Sequence, residues 1–142
     1  MAYRKLEVSF PDLVADHLHR VYGLKVYTGV PQGFVRPSFQ VHLADFSVRN
    51  LNAARREVRG LVSIIYHGTD GQDLWRMAAD LSDAIGIIPV EGKTPIRTFD
   101  RTSTESDGSL VTTARFVYEI LDIPSVDPME RLETEVKTEG RT

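Results

Sequence analysis

The chain has 142 residues, 42% of them hydrophobic and 26% charged, which fits one globular domain with enough apolar material for a single two-layer core. With 17 basic and 20 acidic residues the net charge is −3, and the whole excess lies from Asp122 onward, so residues 1–121 balance at zero. A balanced body lacks the basic surplus of a protein that grips nucleic acid by its phosphates. The absence of cysteine excludes disulfides and thiolate metal sites. No apolar run resembles a signal peptide or approaches the ~20 residues that span a bilayer, so a soluble protein with no membrane partner is expected.

Leu6, Val8 and Phe10 alternate and hint at an extended lead-in. Pro11 and Asp12 then open a helix running to Tyr22, with Leu13, Val14, His17, Leu18 and Val21 on its apolar face and Gly23 to stop it. Leu24 to Thr28 reads as a short strand. The segment 29–37 holds two glycines and two prolines and is a loop. Phe39, Val41 and Leu43 alternate with polar residues, as in a strand with one buried face. The polar stretch Ser47 to Arg56 is expected to connect this strand to the next, Val58 to Tyr66, which is apolar on both faces and therefore central.

Thr69 and Gln72 have the spacing of a capping box for a second helix carrying Leu74, Met77, Ala78, Leu81 and Ile85 on one stripe, ended by Gly86. Ile96–Thr102 and Leu110–Leu121 read as the arms of a hairpin, with an Asp107-Gly108 turn signal at its tip. These elements make an α+β fold: a single, mainly antiparallel sheet of about four to five strands with two amphipathic helices on one face. The main domain is assigned to residues 1–121 and an acidic extension to 122–142. In that extension Asp127-Pro-Met-Glu130 has the signature of a helix start, and Met129, Leu132 and Val136 draw a thin apolar line suited to docking.

No catalytic constellation declares itself. His17 and His19 are two apart on a helix and face different ways, so they cannot share a metal. Asp12 with Glu91 and Lys93 has the residue types of a metal-dependent nuclease, but Asp12 is favoured at a helix N-terminus anyway and Glu91 lies between two prolines. His67-Gly-Thr-Asp-Gly-Gln-Asp73 lacks the lysine of a phosphate loop. Arg49, Arg55, Arg56 and Arg59 share their stretch with Glu57, a mixed-sign pattern suited to a solvated edge or a subunit contact. No cofactor and no catalytic or metal-ligating residue is assigned.

The stretch from Lys25 to Leu43, with Tyr27, Gln32, Gly33, Pro37 and Phe39 in place, resembles the signature of a phage tail-terminator family. The resemblance continues through Ile64-Ile-Tyr66, the helix with Leu74 and Leu81, and the Asp107-Gly108 hairpin, covering roughly residues 10–121. The polar hairpin tip and the acidic tail are not part of the pattern. The resemblance implies a non-enzymatic virion protein at the head-proximal end of the tail, assembled in the host cytoplasm. It implies a homo-oligomeric ring, expected six-fold, that stops tail growth. Its partners would be copies of itself, the tube, the sheath and the neck or head connector, with DNA passing through the lumen without specific binding. Gln32, Phe34, Arg36, Arg55, Arg56, Asp107, Met129, Leu132 and Val136 are nominated as interface residues. Another head–tail connector or neck completion subunit is an alternative, as is the nuclease.

Overall fold

A computed structural model of the chain describes residues 2–3, 9–29, 33–69 and 73–121. Leu6, Val8, Gln32, Gln72 and the extension with Met129, Leu132 and Val136 lie outside the described residues. In chain order the elements are β1 (Ala2–Tyr3), α1 (Phe10–Tyr22), β2 (Lys25–Tyr27), β3 (Ser38–Asn50), β4 (Arg55–His67), α2 (Leu74–Ala84), β5 (Ile87–Val90), β6 (Lys93–Ser106) and β7 (Ser109–Leu121). The strands run in the order β2-β3-β4-β7-β6-β5, with β1 paired to β7 off that path. The fold is α+β, as expected, but the described residues form seven strands where four to five were expected. The sheet is mixed, since β2 pairs parallel with β3 and β1 parallel with β7.

The helices form for the reasons their sequences give. Ser9 caps α1 by accepting from the Asp12 amide, a proline sits in the first turn, and Gly23 closes the helix at φ 69°. Phe10 belongs to this helix and not to a lead-in strand. With Phe10 included, the buried line is Phe10, Val14, Ala15 and Leu18, and Val21, one step off that line, is half exposed. On α2 the cap is Asp73, not Thr69, and the Asp73 carboxylate accepts from the amides of Trp75 and Arg76. Ala78, Leu81 and Ile85 are buried as the stripe requires.

Both helices lie on one face of the sheet. Phe10 stacks on Phe116 with ring centroids 3.9 Å apart, Tyr22 meets Phe39, and α2 lays Leu74 and Ala78 beside Leu110. Because α1 touches β2, β3 and β5, strands from both ends of the order, the sheet curls around it. The core joins Phe10, Val14 and Leu18 to Phe39, Val41, Val62, Ile64, Tyr66, Ile88, Ile96, Ala114 and Phe116. Each such large apolar side chain contributes about 1.5–3 kcal/mol on burial. Polar ties fix the helices to each other and to the sheet. The His17 Nε2–H donates to the Ala84 carbonyl (2.7 Å), the Tyr22 hydroxyl to Asp80, and the Thr98 hydroxyl to the Ile85 carbonyl (2.7 Å). Burial first, and then the neighbouring Asp80 carboxylate, push the Tyr22 phenol well above its ordinary value.

Two irregularities explain the strands that sequence patterning misses. Between Leu43 and Asp45 the register against β4 shifts, leaving Ala44 as an unpaired bulge residue. Side-chain parity inverts there: Phe39, Val41 and Leu43 face the helices, and beyond the bulge Phe46 and Val48 do. The expected connection from Ser47 to Arg56 is therefore strand on both sides of a short turn at 51–54. Asn52 accepts there from the Ala54 amide (2.8 Å). β5 was hidden by Pro89, which sits at its register shift on the edge of the sheet, the position where a strand tolerates proline.

Candidate functional site

The nominated interface residues fall at opposite ends of the sheet. At one end His67 pairs in register with both Ser38 and Ser109, which brings the loop before β3 against the β6–β7 turn. Phe34 lies on the His67 ring, centroids 4.1 Å apart and 26° from coplanar, and remains 38% exposed. The Arg36 guanidinium covers the Phe34 ring at 5.2 Å and donates to the Gly68 carbonyl (3.1 Å). The Val35 amide donates to the Tyr27 hydroxyl (3.2 Å). Phe34 is thus an anchored aromatic, with one part of its surface on its own domain and the rest toward solvent.

His67 ties the two sides of this end together. Its Nε2–H donates to Gln40 Oε1 (3.4 Å) and its Nδ1 lies 3.3 Å from the Ser109 hydroxyl. Burial, with the positive Arg36 beside it, holds the imidazole below its usual value. Asp107 and Gly108 form the neighbouring tip, both at positive φ (50° and 78°), as a two-residue type I′ hairpin turn requires.

The far end carries Arg55 and Arg56. Arg55 pairs with Glu119 at 2.9 Å, and Glu57 takes both Arg49 (3.2 Å) and Arg59 (2.6 Å). The Arg59 hydrogen bond, helped by the Arg49 charge, holds the Glu57 carboxyl below the ordinary carboxylate range. These groups share the sheet face away from the helices, with Thr102 and Thr113 hydroxyls in mutual contact (2.8 Å) farther along it. That face is charge-paired and hydroxyl-rich. Arg56 points to the other face, and its buried Nε has no hydrogen-bond partner among the described residues.

Two features escaped the sequence reading. The first is the row Phe46, Val48 and Leu51, 39–52% exposed, on the distal half of β3 and the turn after it, joined by Leu43, which was expected on the buried face and is 36% exposed. Its signal was present as the alternation Phe46-Ser-Val48-Arg, but the bulge put it out of phase with the strand before it. The second is Trp75, 81% exposed on the first turn of α2 beside a shallow groove lined by Leu74, Ala78, Ser103, Glu105 and Leu110. Asp73 and Arg76 flank that residue and mark a solvent-facing turn, so an isolated tryptophan there was the available signal.

The residues with hydrolytic chemistry are not gathered. Asp12 lies on the first turn of α1, Glu91 in the turn between β5 and β6, and Lys93 opens β6. Among the described residues no three His, Asp or Glu side chains group as a metal ion needs. At the N-terminus of α2 the Asp73 carboxylate already holds the amides that a phosphate would take. What the surface presents instead is exposed aromatic and apolar side chains set among paired charges.

No curated protein matches the chain. A family model described as "Phage tail terminator protein" matches residues 9–130, from the cap of α1 through the end of β7 and beyond. The match spans most of the chain and the whole of the sheet from β2 to β7, so this protein belongs to the phage tail terminator family and is a structural component of a phage tail.

Proposed function

We propose that this chain closes the head-proximal end of the phage tail tube as a ring of identical subunits, stopping tube growth and offering the joint to the neck or head connector. The observation that carries the reading is the family match over residues 9–130. The surface supports it. A closed ring of identical subunits needs two different patches on each copy, one meeting the other on the next subunit. Here the anchored Phe34–Arg36–Asp107 end and the apolar distal part of β3 are two such patches at different places on the sheet. Glu57 and Glu119 offset two of the three positive charges of Arg49, Arg55 and Arg59 on their face. Beside a lumen such a face would let DNA pass without being held.

The partners in this reading are further copies of the chain, the tube below, the sheath around it and the connector above. The test is a phage in which this gene is silenced. Over-long tails unable to join heads are expected, and electron microscopy of isolated tails reads the length directly. Tails of normal length that join heads would remove the terminator role.

A further inference from the structure

The longest unpaired backbone among the described residues is the outer edge of β3. Its neighbour β2 reaches only from Ser38 to Gln40, so nothing described pairs with β3 on that side from Val41 to Asn50. Residues 42–50 are all exposed. This edge has neither the proline nor the lysine with which natural sheets blunt such strands, although it carries one bulge at Ala44. The Leu51 amide bonds back to the Arg55 carbonyl (2.9 Å). By the alternation of an antiparallel ladder, the N–H groups of Asn50 and Val48 then point away from β4, toward the open side, while the Phe46 amide donates to the Asp45 carboxylate (2.9 Å). The edge therefore offers the backbone N–H and C=O groups of Val48 and Asn50, unpaired among the described residues, with the Phe46 and Val48 side chains alongside.

A second open edge lies on the opposite side of the same sheet. β6 pairs with β5 only between Lys93 and Arg97, and nothing described pairs with its outer side from Thr102 to Ser106. Going across the sheet, β3, β4, β7 and β6 alternate in direction, so β3 and β6 run oppositely. If copies follow one another around an axis in the same orientation, the β6 edge of one meets the β3 edge of the next antiparallel. That is the stronger of the two ladder geometries. The side chains of the two edges allow such an approach. The β3 edge carries exposed Phe46 and Val48 on the helix side, whereas the β6 edge presents Thr102, Ser103 and Thr104, small hydroxylated groups that let another strand come close, before Glu105.

We infer that the distal edge of β3 in one subunit pairs with the free edge of β6 in a second copy, so that the sheets join edge to edge. This rests on the ring reading above and specifies the contact that holds the ring together. Alternate-strand pairing of this kind draws its affinity from main-chain hydrogen bonds and its register from the side chains beside them.

Because the chain has no cysteine, single cysteines report the contact without background. Ser47, Thr102 and Thr104 all point to the helix-free face. Tails would be assembled in cells making two tagged forms, one with Ser47→Cys and one with either Thr102→Cys or Thr104→Cys, then treated with a short bismaleimide. The inference expects mixed dimers of the two forms, and Ser47→Cys alone should give none. Dimers of Ser47→Cys with itself would mean two β3 edges meet, and would overturn it. A second variant, Val48→Pro, removes one outward donor at an exposed edge position. Folded by circular dichroism, it should fail to enter rings. Intact rings with Val48→Pro, or rings lacking every mixed crosslink, would refute the strand pairing and leave the ring standing. Tails holding the subunit as a single copy would overturn both.

Discussion

Gly60 is the position where the sheet is least forgiving, and its replacement by alanine puts the packing argument at risk. It lies in the row Phe46–Gly60–Phe116 across three strands, facing the helices and opposite the bulge of β3. A Cβ there would stand 2.6 Å from the Asp45 carbonyl oxygen and 2.6 Å from Cζ of Phe116, where ordinary contact begins at 3.4 Å. The ring would have to withdraw by the difference, 0.8 Å. It has nowhere to go: Phe116 is 1% exposed, stacked on Phe10 at 3.9 Å and on Tyr118 at 6.0 Å. Overpacking of this kind costs about 1–3 kcal/mol. The backbone oxygen on the second side places Gly60→Ala near the top of that range. Reduced freedom of the unfolded chain returns about 0.4–1 kcal/mol. A net loss of about 2 kcal/mol is expected. With a urea slope of about 1.5 kcal/mol per molar, the unfolding midpoint should fall by roughly 1.3 M. Combining Gly60→Ala with Phe116→Leu, which removes the ring's clashing atoms, should cost less than the sum of the two single changes. A midpoint for Gly60→Ala within about 0.3 M of the parent would refute the close-packing account.

Asp73→Ala removes the acceptor for two amides at the start of α2 and should cost about 0.5–2 kcal/mol, read by thermal or urea unfolding. His67 carries a pH signature. Its folded imidazole titrates below its usual 6.5, so the unfolded chain binds the proton more readily and stability rises with pH. The cost is absent above that usual value and fully present below the folded one. His67→Gln should therefore flatten the fall in stability as the pH drops below the usual imidazole value. For Arg55→Ala, whose partner Glu119 is 2.9 Å away on a partly exposed surface, a loss of only about 0.2–1 kcal/mol is expected, shrinking in high salt. A larger, salt-insensitive loss would show that this pair is more than a surface contact.

The sequence was most legible where one residue type dictates the backbone. Gly23 ends α1, Asp107 and Gly108 turn the hairpin, and the helix stripes of α1 and α2 point to the core. It was least legible where tertiary context overrides a local period. Pro89 disguised an edge strand, Phe10 continued a strand-like alternation into a helix, and Asp73 displaced the Thr69 cap by four residues. Of the nominated surface, Phe34, Arg36 and Asp107 come together at one end and Arg55 and Arg56 at the other, a division that spacing in the chain could not supply. Trp75 and the Phe46–Val48 row went unnoticed because hydrophobic residues are read first as core, and only a fold shows which of them the helices fail to cover.

The unpaired Ala44 acts as a phase shifter for everything beyond it. Taking that single residue out would leave Leu43 opposite Val62 and Asp45 opposite Leu61 as before, so the ladder would run on without a bulge. Phe46 and Val48 would keep to the helix side, and Ser47 and Arg49 to the side of the Glu57 and Arg59 charges. Loss of one residue elsewhere in the outer half would instead turn the strand over unless the bulge took up the change. Related chains that shorten this arm by one residue should do so by losing the bulge.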